Sequence, residues 1–216
     1  MKNAGNKGLV MVTTSEGIPL LKDTDSVQTP DELGGPDVDN SKDRHRFGNP
    51  HIWLDPENVK IMLKKITDTF IRLDPGNKTY YMRNQADYIR EIDEMQSRLS
   101  QEVRQIKDRR IITHHQAWPY FARRFGFTIS GYIIKQVGSE PSARHLADLV
   151  SMIRKEKIKV IVSEPQLNQK TPRTIAGETG ARLITLTPIP GAIPGTETYI
   201  SMIKYNINQL VQALRN

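Results

Sequence analysis

Apolar residues along this chain recur in two rhythms. From residue 59 onward, Val59, Met62, Leu63, Ile66 and Phe70 repeat every three or four positions, the spacing of one helix face. Asp55-Pro56 stands just before them. Asp caps a helix start because its carboxylate accepts a free backbone N–H, and proline suits the first helical position because its φ is already helical. A second helix is predicted over residues 78–106, with Ile89, Ile92, Leu99, Val103 and Ile106 as its apolar stripe. At about 1.5 Å per residue it would be roughly 40 Å long, enough to cross from one lobe to another.

Beyond residue 107 the rhythm shortens. Runs at 110–113, 127–134, 158–162 and 183–186 read as strands. Between and after them, 118–125, 142–155, 171–180 and 198–214 read as helices. Leu146, Leu149, Val150 and Ile153 face inward on one of these, and Tyr199, Ile203, Ile207, Leu210 and Leu214 on the last. Short apolar strands alternating with helices predict an α/β fold with a mostly parallel sheet flanked by helices. Near the start, residues 9–12 (Leu-Val-Met-Val) read as a short buried strand. Residues 23–50 hold almost no large apolar side chain and read as a long polar loop.

Ligands of parallel sheets bind beyond the carboxyl ends of the strands. There, Thr113 is followed by His114 and His115, Val162 by Ser163 and Glu164, and Leu186 by Thr187. If these strands are neighbours, an imidazole and a carboxylate meet on one rim, donors that suit zinc or manganese. His51 lies in Asn49-Pro50-His51-Ile52-Trp53-Leu54-Asp55-Pro56, placed to reach across a cleft. Each of these has an ordinary reading as well. A single His beside a Trp commonly serves as a structural hydrogen-bonding residue, only one of His114 and His115 can face the rim, and Glu164 before a proline can be a loop carboxylate.

Composition narrows the chemistry. There is no cysteine, so disulfides and thiolate ligands are excluded. The net charge is +7, but the basic residues are interleaved with acids, as in residues 64–78, and read as a solvated face, so no nucleic-acid partner is predicted. No apolar run reaches the roughly 18 residues of a membrane span, and residues 1–17 lack the apolar segment of a secretory signal. No nucleophile–base pair stands out, so the chain does not read as an enzyme.

Four segments, in order, carry a resemblance. Residues 49–56 look like a DPHxWLDP segment. Residues 115–126, His-Gln-Ala-Trp-Pro-Tyr-Phe-Ala-Arg-Arg-Phe-Gly, look like HDAfgYFarryG. Residues 138–142, Gly-Ser-Glu-Pro-Ser, look like an EPSp turn. Glu164-Pro-Gln-Leu, with Ala176-Gly-Glu-Thr-Gly180 after it, looks like EPQF…ia.etG. These are segments of the metal-binding solute receptors of bacterial zinc/manganese ABC transporters, the cluster A-I type.

The resemblance implies two α/β lobes bridged by a long helix. On that pattern residues 1–50 are a remnant of the N-terminal lobe plus the polar loop, 51–107 the helical segment with the inter-lobe helix, and 108–216 the C-terminal lobe. It implies His51 and His115 as metal ligands and Glu164 as the carboxylate that ligates in manganese-type members. It leaves His114 structural and His45 and His145 on the surface. The implied function is a Zn²⁺ or Mn²⁺ receptor of an ABC import system, not an enzyme, that delivers metal to a membrane permease from the periplasm or a lipid-anchored position outside the cell. The alternative is an adhesin-like or partner-binding module of the same family with no transport role.

Two departures shape the expectation. The family's first ligand His and most of the N-terminal lobe have no counterpart here, and Thr187 stands where the family often has Asp. The expected site therefore has at most three of four ligands, holding metal weakly or not at all. Residues 9–12 are expected to make a homodimer contact or a poorly ordered terminus.

Overall fold

The computed structural model describes residues 8–21, 48–134 and 138–215. Among them are six α-helices and one four-stranded sheet. Helix α1 is Pro56–Leu73 and α2 is Lys78–Arg104. Then strand β1 (Arg110–Thr113), α3 (Pro119–Phe125), β2 (Thr128–Tyr132), α4 (Ala143–Glu156), β3 (Val160–Ser163), α5 (Lys170–Thr179), β4 (Arg182–Thr185) and α6 (Tyr199–Leu214) follow. The strand order is β2-β1-β3-β4, and every pairing is parallel. The helix caps form as their residues dictate. Asp55 accepts the Glu57 N–H, Ser142 accepts the His145 N–H, and Thr198 with Ser201 closes a capping box.

Side chains alternate across each strand and divide the apolar residues into two cores. Ile111, Ile129, Val160, Val162 and Ile184 face one way, against Ile92, Met95 and Leu99 of α2, Phe121 of α3 and Ile203, Ile207 and Leu210 of α6. Ile112 and Ile161 face the other way, against Leu149 and Ile153 of α4 and Ile175 of α5. The result is helices on both faces of a parallel sheet, as the alternation of runs predicts. Gly131 on β2 allows α4 to lie close. A Cβ there would stand 3.0 Å from Leu149 Cδ1 and 3.2 Å from Met152 Cε.

Strands β1, β3 and β4 are consecutive in the sheet, so their carboxyl ends open onto a common rim. Helix α1 returns against α2, and α2 packs on α6. The N-terminal half of α2 is largely exposed, and its buried residues begin at Ile92.

Residues 9–12 correct the sequence reading. They form no strand, and Leu9 (49%) and Met11 (68%) are exposed. An apolar tetrapeptide becomes a buried strand only when a neighbouring edge accepts its N–H and C=O groups, and no such edge faces it among the described residues. The following residues do pack: Ile18 sits with Ile52 and Tyr120 in a small third cluster. The polar loop and His45 lie mostly outside the described residues.

Candidate metal centre

The loops after β1 and β3 carry His115 and Glu164 to one buried point. His115 Nδ1 lies 2.5 Å from Glu164 Oε1, and both side chains are almost wholly enclosed. Glu164 is committed on all sides. Trp118 Nε1–H donates to Oε1 at 3.2 Å, Gln166 Nε2–H donates to Oε2 at 2.8 Å, and Gln169 Nε2–H donates to the Glu164 carbonyl at 2.6 Å. A carboxylate so close to an imidazole Nδ1 holds the proton there, which leaves the Nε2 lone pair as the free donor of His115.

His51 arrives from the other side, on the turn before α1. Its ring meets His115 edge to face, with centroids 5.3 Å apart, and it lies 5.4 Å from the Trp53 ring. Asn49 Oδ1 accepts the His51 backbone N–H at 3.0 Å and stands 3.0 Å from His51 Nδ1. A backbone N–H can only donate, so Oδ1 is the acceptor and Nδ1 carries the proton. His51, like His115, keeps its lone pair on Nε2.

Burial lowers the His51 pKa to about 4, with the neighbouring His115 adding to the effect. Its imidazole is therefore neutral at neutral pH, the form that binds metal.

The turn bearing His51 is pinned to the sheet side of the molecule. Trp53 Nε1–H donates to the Pro188 carbonyl at 2.8 Å, beyond β4. Asp55, only 1% exposed, receives Arg124 at 2.6 and 3.0 Å from α3. Asn58 Nδ2–H donates to the Ile52 carbonyl at 2.9 Å.

Thr187 is buried, and its hydroxyl closes a turn with Ile189, donating to the carbonyl at 2.7 Å and accepting the N–H at 3.1 Å. Its backbone is held by Asn206 of α6 through two hydrogen bonds. The Thr187 hydroxyl is thus engaged within its own turn. His114 is buried; burial lowers its pKa, and its Nδ1 has no hydrogen-bond partner. His145, expected on the surface, is half-buried, with Nε2 2.9 Å from the Tyr132 carbonyl.

Thus the structure brings His51, His115 and Glu164 together. Among the described residues no group of three or more His, Asp or Glu side chains has the arrangement to hold a metal ion. Asn49, Trp118, Gln166 and Gln169 escape a reading by residue type. Asn49, Trp118 and Gln166 lie in the segments that carry the resemblance, but nothing in those segments says which partner each side chain takes.

Residues 1–213 match the family described as ZnuA, zinc-uptake complex component A, periplasmic. The chain is 27% identical over 217 residues to the high-affinity zinc uptake system protein ZnuA of Bacillus subtilis, covering 99% of this chain and 66% of that protein. It is 30% identical over 165 residues to the protein of the same name from Brucella abortus, covering 76% and 49%. It therefore spans between about half and two thirds of these curated relatives. A crystal structure of ZnuA superposes with a TM-score of 0.75 at 26% identity, covering 94% of this chain and 68% of that one. A metal-transporting adhesin of Streptococcus agalactiae, described as a laminin-binding protein, superposes with a TM-score of 0.71 at 28% identity, covering 77% and 65%. With residues 1–213 inside the family match and the two histidines at the strand-end rim, the chain belongs to the zinc-uptake complex component A family of solute-binding proteins.

Proposed function

We propose that this chain acts as the metal-binding receptor component of an ABC import system, with zinc as the cargo and a membrane permease as the recipient. The observation that carries the reading is the His51–His115 pair. Two imidazole rings have their centroids 5.3 Å apart, each with Nδ1 facing a protein acceptor and Nε2 left for a ligand. His51 and His115 supply the ligands. Glu164 acts through His115, fixing the ring and its tautomer, rather than through its own oxygens. Water completes the coordination.

Zinc is favoured over manganese for two reasons. Imidazole is a good zinc donor whereas manganese prefers oxygen, and the Irving–Williams order ranks zinc above manganese at a given nitrogen site. The relatives carry zinc in their names, including a zinc-binding lipoprotein of Streptococcus pneumoniae at 29% identity. Their descriptions as periplasmic or lipoprotein support an extracytoplasmic location. Among the described residues no helix is long and apolar enough to cross a membrane.

Isothermal titration of the metal-free protein with Zn²⁺ and Mn²⁺ tests the proposal. Zinc should bind with one site per chain, manganese more weakly, and His115→Ala should abolish the zinc heat. No zinc binding by the unaltered chain, or binding unaffected by His115→Ala, would sink it. A second reading, a partner-binding module without transport, is favoured by the likeness to the laminin-binding adhesin. It predicts partner binding that survives His115→Ala.

A further inference from the structure

We infer that Asn49 is a positioning residue that locks the tautomer of His51 and ties the His51 turn to the His115 loop. For its consequence on zinc the inference rests on the receptor reading above; the tautomer stands without it.

The carboxamide of Asn49 faces two ways. Oδ1 accepts from the His51 backbone N–H and from Nδ1–H, both at 3.0 Å. On the other side, Nδ2–H donates to the carbonyl of Gln116 at 2.7 Å, the residue after His115. The backbone of Asn49 is fixed as well. Its N–H donates to the Leu21 carbonyl at 2.8 Å, and its carbonyl accepts the Tyr120 hydroxyl at 3.2 Å. The Tyr120 oxygen in turn accepts the Leu21 N–H at 2.9 Å, and Tyr120 is fully buried on α3. Asn49 is itself only 3% exposed, so it has no competing water to pair with.

The chemistry is selective for asparagine. An aspartate could accept both His51 hydrogens, but no oxygen of it could donate to the Gln116 carbonyl, and its charge would face that carbonyl dipole. A leucine would fill the space and offer neither contact. Only a carboxamide accepts on one side and donates on the other. In this chain the tie between the two ligand loops is made by the Asn49 carboxamide.

Metal-free protein at neutral pH is examined by long-range ¹H–¹⁵N correlation on the histidine ring nitrogens. His51 in the unaltered chain should show a protonated Nδ1 and a bare Nε2. Asn49→Leu should release it to a mixture of tautomers, and zinc affinity should fall about 10- to 100-fold, the usual cost of losing a partner of a metal-bound His. Asn49→Asp, which keeps the isosteric shape should the leucine variant fail to fold, should retain the Nδ1–H tautomer but still bind zinc more weakly, because the Gln116 tie is lost. An Nε2–H tautomer in the unaltered chain, or one unchanged in Asn49→Leu, overturns the tautomer lock. Unaltered zinc affinity in Asn49→Asp overturns the coupling. A locked tautomer in a chain that binds no zinc overturns the receptor reading alone and leaves the lock standing.

Discussion

The corner that holds the two histidines and the far end of the α1–α2 hairpin stand at the two ends of helix α1, yet they treat their side chains in opposite ways. At the corner, Asn49, Asp55, Glu164 and Thr187 are buried, and each is hydrogen-bonded to two or more segments. At the hairpin end, Phe70 (50%), Leu73 (57%), Tyr80 (62%) and Met82 (50%) stand in the open, and the contacts there are local, such as Phe70 on Tyr81 and the Tyr81 hydroxyl on Asp74. The corner is built to hold polar groups still where water is excluded, which is where an unmade hydrogen bond costs most. The hairpin end makes no comparable demand, because exposed groups have solvent as a partner.

That contrast predicts a steep gradient of mutational effects. The largest belongs under the corner: Phe121→Ala removes a ring packed against Trp118, Phe125 and Phe127 and should cost about 3–5 kcal/mol in chemical denaturation. A loss below about 1 kcal/mol would show that this core does not support the site. Arg124→Met leaves the buried Asp55 carboxylate without its forked partner. The guanidinium is about one third exposed, so the cost should be about 2–3 kcal/mol, below that of a fully enclosed pair.

Glu164→Gln should weaken zinc about 10- to 100-fold, because a neutral amide oxygen accepts the His115 Nδ1–H less strongly than a carboxylate and the amide NH2 would face the Gln166 donor. Unchanged affinity would mean that His115 does not depend on its carboxylate.

The pH dependence is smaller. His51 is lowered from 6.5 to about 4, and His114 is lowered too, both mainly by burial. The unfolded chain therefore takes up protons first as pH falls below 6.5, so stability decreases from there toward pH 4. The melting temperature should drop between pH 7 and pH 5, and His51→Gln should flatten that slope. An unchanged slope would place the proton uptake elsewhere. The smallest effect belongs to the hairpin end, where Tyr80→Ser should alter stability by no more than about 0.5 kcal/mol. A larger loss would show that the exposed end contributes more than its contacts suggest.

Much of the fold is legible in the sequence because it is local. Asp55-Pro56, Ser142 and Thr198 start their helices as predicted, and the four apolar runs become β1 to β4 within a few residues. Residues 9–12 go the other way for a nonlocal reason: their hydrophobicity matches a strand, but pairing requires a neighbour, and hydrophobicity does not supply one. The site is legible in part. His51, His115 and Glu164 stand in recognisable segments, and the strand-end rule brings the last two to one rim.

The sequence by itself determined the helix starts, the parallel α/β order, and which residues had donor chemistry to offer. Tertiary structure alone decided how those donors are used. It set Glu164 against His115 Nδ1, closed Thr187 into its own turn, and placed Asn49 between His51 and Gln116. The physical reason is that residue type fixes what a side chain can donate or accept, while its partners are chosen by segments that meet only when the chain folds, here 49 and 67 residues apart.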